Sequence, residues 1–259
     1  MPRIPIAVQL YSVREEAAKD LPSVLKAVAA MGYDGVEFAG YYGHSAEDIR
    51  KLLDDTGLKV AGTHVGLDTL LGDELAKSVE FHQAIGNPYP VVPGLGSQHT
   101  NSREAWRKTA EIFNEIADKL AAYDMQTGYH NHHTEFTPLD GEEPWDTFFG
   151  NTNDSVIMQL DTGNAMHGGA DPIPYLKRYP GRATTVHLKP YAPSLKTEAE
   201  PHGGFRPCIG EDETPWEELL TLCETSGGTK WYIVEYESDK YPPMEAIDLC
   251  LKALRKLGR

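Results

Sequence analysis

Residues 128–136 read Gly-Tyr-His-Asn-His-His-Thr-Glu-Phe. The run starts as a strand, with Met125, Thr127 and Tyr129 alternating with smaller or polar neighbours, and then sets three histidines and a carboxylate where the strand should end. Burying such a cluster is costly unless something ties it together, and a divalent metal ion is the usual tie. A polar turn with exposed histidines is the simpler alternative. The choice between them rests on the rest of the chain, where three later strands also end in a candidate ligand.

Reading outward in both directions gives eight strand-then-helix units. Apolar strand-like runs fall at 6–10, 35–38, 59–63, 89–92, 125–130, 156–160, 184–188 and 231–234. Between them lie segments with apolar residues at helical spacing, at 21–31, 46–56, 70–85, 102–123, 144–149, 172–178, 215–224 and 244–257. Ser45 with Asp48 three residues on marks one helix start, Ser102 another, and Gly32, Gly57 and Gly86 mark helix ends. No composition break or linker interrupts the series. Strands alternating with helices imply a parallel sheet, and eight units in 259 residues imply a single closed (β/α)8 TIM barrel over 1–259. An open doubly wound sheet would show a glycine-rich phosphate turn after its first strand; Gln9-Leu-Tyr-Ser-Val-Arg14 has none.

In a barrel every strand delivers its C-terminal end to one face, so position along a strand becomes position in space. Glu135, Asp161, His187 and Glu235 lie at, or within a few residues after, the ends of strands five to eight. Three carboxylates and one imidazole suit Mn²⁺ first, with Mg²⁺, Co²⁺ or Zn²⁺ as alternatives. Each residue also has a purely structural use: Asp161 as a cap on the turn that follows, His187 as a hydrogen-bonded core group, Glu235 as half of a buried pair.

The net charge of −15 disfavours a nucleic-acid partner. No apolar run is long enough for a membrane span, and the N-terminal run from Met1 to Val8 lacks a signal-peptide core. Cys208, Cys223 and Cys250 are odd in number and widely spaced, which implies no disulfide framework and a reduced, cytoplasmic protein.

The chain resembles the sugar phosphate isomerase/epimerase superfamily of xylose-isomerase-like barrels, which includes ketose 3-epimerases, inosose isomerases and dehydratases, and apurinic endonucleases. Carrying the resemblance are Val8-Gln-Leu-Tyr-Ser-Val-Arg14, Gly35-Val-Glu-Phe38, Tyr129-His-Asn-His132 with Glu135-Phe136, Leu160-Asp-Thr-Gly-Asn164, Val186-His-Leu-Lys189 and Val234-Glu235. The resemblance implies a metal held by Glu135, Asp161, His187 and Glu235. In the epimerases the first glutamate sits directly on strand five, where this chain has His130, so His130 or His132 is an alternative ligand. A second departure is Ile209-Gly-Glu-Asp-Glu213, where relatives often have Gly-Glu-Gly.

An ion chelating a carbonyl and an adjacent hydroxyl acidifies the C–H between them, and flanking groups move the proton. Glu235 is then one proton carrier and Glu135 or His130 the other. Isomerisation or epimerisation of an unphosphorylated keto-sugar is the leading expectation. Loss of a β-leaving group is the alternative: dehydration, or cleavage of a 3-keto-glycoside. Non-catalytic sugar binding and DNA phosphodiester cleavage stand behind these. Gln9, Glu37, His64, His132, Lys189 and Trp216 are candidates for contacts to substrate. The long segment 190–215 fits a lid or a subunit contact, which leaves a homo-oligomer open.

Overall fold

A computed structural model describes residues 3–259; Met1 and Pro2, the start of the N-terminal run considered above, lie outside the described residues. The strands are β1 (Ile6–Gln9), β2 (Gly35–Phe38), β3 (Lys59–His64), β4 (Pro90–Val92), β5 (Gly128–His130), β6 (Ile157–Asp161), β7 (Thr185–Leu188) and β8 (Trp231–Val234). Each is parallel to its neighbours. The sheet closes where Ile6, Ala7 and Val8 of β1 pair with Tyr232, Ile233 and Val234 of β8. The expected (β/α)8 barrel is the observed fold.

Why the helices form is legible locally. Ser102 accepts a hydrogen bond from the Ala105 N–H and opens the helix Arg103–Ala121. That helix buries Trp106, Ala110, Phe113, Ile116, Ala117 and Leu120 at three- and four-residue spacing against the barrel. Ser45 and Asp48 cap the helix Ala46–Thr56 reciprocally, and Gly57 closes it at a φ of 73°. Some bounds differ from expectation. The first helix begins at Arg14, a full segment earlier, and breaks at Asp20, because Pro22 lacks the N–H a continuous helix needs. An extra short helix, Thr162–His167, follows β6 directly, with the Asp161 side chain as its cap.

Strand alternation sorts the barrel interior into layers. Ala7, Ala61, Trp231 and Ile233 form a small apolar plug, separate from the larger core between strands and helices. The Trp231 indole fits because position 35 is glycine: a Cβ there would lie 2.9 Å from its ring. Two residues further along the same faces come Gln9, Glu37 and Gln159, none of them exposed. A register shift between β2 and β3 at Val36/Glu37 brings Gly62 against Glu37, where a Cβ would lie 2.6 Å from the carboxylate. Beyond this polar layer is the C-terminal face. Among the described residues no helix is long and apolar enough to cross a membrane.

Candidate metal centre

Register alone brings the first pair together, since Asp161 on β6 is the direct partner of His187 on β7. Glu235 follows the last residue of β8, and His130 ends β5. One ligand atom from each of His130, Asp161, His187 and Glu235 lies within 4.8 Å of the others, and all four residues are buried. His187 Nδ1 is 2.7 Å from Glu235 Oε2 and 3.8 Å from Asp161 Oδ2. His130 Nε2 is 3.8 Å from the same Asp161 oxygen.

Behind these groups sits a layer of hydrogen bonds that aims them. His187 Nε2 meets Glu37 Oε2 at 2.6 Å, leaving Nδ1 to face the cluster. Gln9 Nε2 donates to Glu37 Oε2 at 2.6 Å, and Gln159 Nε2 donates to Glu37 Oε1 at 2.8 Å and to Thr185 Oγ1 at 2.9 Å. The Gln159 carbonyl lies 3.1 Å from His130 Nδ1 and 2.7 Å from His64 Nε2. Such outer partners fix ring orientation at metal sites.

Charge is finely balanced here. Burial alone would lower the His187 pKa, but Glu37 and Glu235 outweigh it and raise it to about 10, so the ring is an imidazolium while both carboxylates flank it. Burial also works against the Lys189 ammonium, yet Glu235, Asp161 and Glu237 hold it charged. Its Nζ is 3.9 Å from both Asp161 Oδ2 and Glu235 Oε1 and is bonded to Glu237. His130 is held well below the usual histidine range by burial and by His187 and His64, so it is neutral. Burial, partly offset by Lys189, raises Asp161 to about 7.

Asp161 decides whether the site suits an ion. Its Oδ1 accepts from the Asn164 N–H at 2.7 Å, whereas its Oδ2 is buried without a hydrogen-bond partner. A buried carboxylate oxygen without a donor is unfavourable by itself. This one points at two imidazole nitrogens and a second carboxylate, which is the donor set of a divalent ion. The residues fit.

The structure does not bring Glu135 to this cluster. Asn131 turns the chain after β5, its side chain bonded to the Asp161 N–H at 2.8 Å and its own amide to Asp161 O at 3.1 Å. The turn Thr134–Phe136 then carries Glu135 outward, where it accepts from Tyr129 Oη at 2.6 Å and from the His132 N–H at 3.1 Å. Gln9 and Glu37, expected to touch substrate, lie beneath the cluster instead. Trp216 is also displaced from that expectation: its indole N–H donates to Asp212 Oδ1 at 2.8 Å. The Asp212 carboxylate further accepts from the backbone of Tyr191, Gly210 and Thr214, tying the long loop together. His64, His132 and Lys189 do line the cavity above the cluster, together with His130 and Glu235.

Sequence reasoning missed Gln159 and Glu237. Gln159 is two residues before Asp161 on one strand, so alternation places it on the same face one layer down. Glu237 carried no such signal, because it lies beyond β8 in irregular chain.

An eight-stranded barrel with a buried carboxylate–imidazole cluster at the C-terminal face defines the class. Over residues 25–257 the chain matches the xylose isomerase-like TIM barrel family, and it belongs to that family. An inosose dehydratase of Clostridium botulinum is 22% identical over 241 residues, spanning 82% of this chain and 80% of that protein. A sugar phosphate isomerase/epimerase of Parabacteroides distasonis superimposes with a TM-score of 0.81 at 24% identity, covering 97% of each chain. The IOLI protein, solved with a binding zinc atom, gives a TM-score of 0.73 at 17% identity over 98% of this chain and 97% of its own. The two structural likenesses establish the fold.

Proposed function

We propose that the chain is a divalent-metal-dependent lyase, eliminating a β-leaving group from an unphosphorylated cyclic polyhydroxy ketone. The observation that carries this is the bare, buried Asp161 Oδ2 among His130, His187 and Glu235. Those four side chains are the proposed ligands. Two nitrogens and two oxygens favour Mn²⁺, Co²⁺ or Zn²⁺ over Mg²⁺, which prefers an all-oxygen shell. A bound ion would polarise the ketone and an adjacent oxygen, acidifying the C–H between them.

The chain's own groups supply the rest. His132 lines the cavity outside the ligand set, its ring centroid 5.4 Å from that of His130. Burial holds its pKa below the usual histidine value, so it is a neutral base at pH 7. Lys189, buried and cationic, faces the same space and steadies negative charge on a departing oxygen. For epimerisation the expected proton carriers were Glu235 on one face of the substrate and Glu135 or His130 on the other. With Glu135 turned away, the pair left is His130 and Glu235, both proposed here as ligands, and the dehydratase relative supports elimination. The isomerase/epimerase expectation therefore reaches this chain only through its superfamily.

The two cations at the cavity, Lys189 and Arg206, are each paired with a glutamate, which supports an unphosphorylated substrate. Three free, buried cysteines support a reducing, cytoplasmic setting. The test is incubation of the Mn²⁺-loaded protein with inososes and keto-hexoses in D₂O. Formation of an unsaturated or rearranged dicarbonyl product with loss of water supports the lyase. A deuterated epimer or isomer with all its oxygens retained would refute it.

A further inference from the structure

The cavity above the cluster has a volume of about 960 Å³. That is near the top of the roughly 300–1,000 Å³ range of pockets for drug-sized ligands. A single sugar or cyclitol ring held at His130, Asp161, His187 and Glu235 would leave much of it unfilled.

The outer half has its own construction. The His167 ring, at the end of the helix Thr162–His167, lies 5.1 Å from His133, 5.3 Å from His202 and 5.0 Å from Phe205, centroid to centroid. His202 and Phe205 are inclined by only 25° to one another. Tyr191 anchors this wall: its hydroxyl is 3.0 Å from His167 Nδ1, and it packs so closely on Gly204 that a Cβ there would lie 2.4 Å from the phenol ring. Burial lowers the His167 pKa to about 4, so its ring is uncharged at neutral pH. Uncharged aromatic faces stack on flat rings, and the imidazole edges can meet hydroxyls. One residue joins the two halves. Lys189 Nζ is 5.3 Å from the centre of the Phe205 ring and 3.9 Å from the nearest oxygens of Asp161 and Glu235.

Resting on the lyase reading above, we propose that this outer half is a leaving-group subsite and that the substrate is a keto-glycoside. The oxidised sugar ring sits at the cluster, the aglycone ring lies among His167, His202 and Phe205, and Lys189 stands at the bond between them. In the reaction the base takes the proton from the carbon between the ketone and the glycosidic carbon. That C–H electron pair becomes the new C=C bond, and the glycosidic C–O bond breaks. The departing oxygen keeps its pair, is steadied by Lys189, and takes up one proton, replacing the one removed from carbon. The products are an unsaturated keto-sugar and the free aglycone alcohol, with no oxidant or reductant consumed.

The test uses the full chain loaded with Mn²⁺. Release of nitrophenol from a nitrophenyl 3-keto-glucoside is followed beside solvent deuterium entry into a single-ring inosose. The glycoside is expected to have a kcat/KM about tenfold or more above the inosose, the order of effect of one well-packed aromatic ring. Phe205→Ala is expected to lower the glycoside value about tenfold more than the inosose value, mainly through KM, and Phe205→Tyr to restore it. His202→Ala, at an exposed position, should shift the ratio in the same direction and guards against misfolding of the Phe205 variant. Equal handling of both substrates, or variants that lower both alike, would overturn the subsite. Dehydration of the inosose with no nitrophenol released would overturn it too, leaving the lyase reading in place. Finding neither elimination nor exchange in either substrate would remove the lyase reading beneath it.

Discussion

Loading the purified protein with Mn²⁺ at pH 7 is expected to expel protons, because two of the proposed ligands carry them beforehand. His187 has a pKa of about 10 and is fully protonated. Asp161, at about 7, is half protonated. An ion needs the imidazole neutral and the carboxylate ionised, so binding releases one proton from the ring and about half of one from the acid. Affinity should then rise by about 1.5 log units per pH unit near neutrality, easing to about one above pH 8 once Asp161 is ionised. Titration calorimetry in two buffers of different ionisation enthalpy counts these protons directly. Glu37→Gln keeps an acceptor for His187 Nε2 but removes the carboxylate charge that raises the ring's pKa. The variant should therefore release fewer protons at pH 7, by up to about one. Release of only about half a proton would show that His187 keeps its proton when the ion binds, and would remove it from the ligand set.

Asp161→Asn and Glu235→Gln are each expected to weaken metal binding by at least about 100-fold, since each removes a charge from a small site; elemental analysis after dialysis that still finds one ion per chain would count against both assignments. Glu135→Gln should keep the metal but destabilise the fold by about 1–3 kcal/mol, because Tyr129 Oη and the His132 N–H share that carboxylate. Urea unfolding beside elemental analysis separates the two effects, and a folded variant without metal would return Glu135 to the ligand set. Far from the site, burial lowers His82 from 6.5 to about 4. Its folded pKa is depressed, so the unfolded chain takes up the proton first as pH falls below 6.5, and about 3 kcal/mol of stability is lost by pH 4. His82→Gln should show a correspondingly shallower loss, read as the difference between the two proteins' unfolding midpoints at pH 7 and pH 4.5.

The barrel was legible because its signals are local and repeated: apolar strand, capped helix, glycine stop, eight times over. Asp161, His187 and Glu235 could be placed for the same reason, since each sits on a strand or directly after one, where alternation fixes its direction. Glu135 could not. Four residues outside any strand separate it from His130, and its direction is set by Asn131 bonding to β6, a contact between segments thirty positions apart. Gln9 and Glu37 were expected to touch substrate, but which layer they occupy depends on how far each strand slides against its neighbour. The slip between β2 and β3 at Val36/Glu37 is a case that no pattern in either strand announces. Trp216 opens the helix that follows the least predictable segment, a loop whose shape follows from four bonds to Asp212, one of them from the Trp216 indole itself.

Gln159 gives the site a property that none of its charged members could. With its NH₂ committed to Glu37 and Thr185, its carbonyl is left to face His130 Nδ1 and His64 Nε2. Those two nitrogens must then carry hydrogen, and in the neutral His130 ring the other nitrogen is a bare lone pair. A single uncharged amide thus orients two imidazoles at once and sets the tautomer of His130, and reversing it would forfeit four bonds together, on the order of 4 kcal/mol. His130 is therefore presented to the cluster as a ready electron-pair donor before any ion arrives.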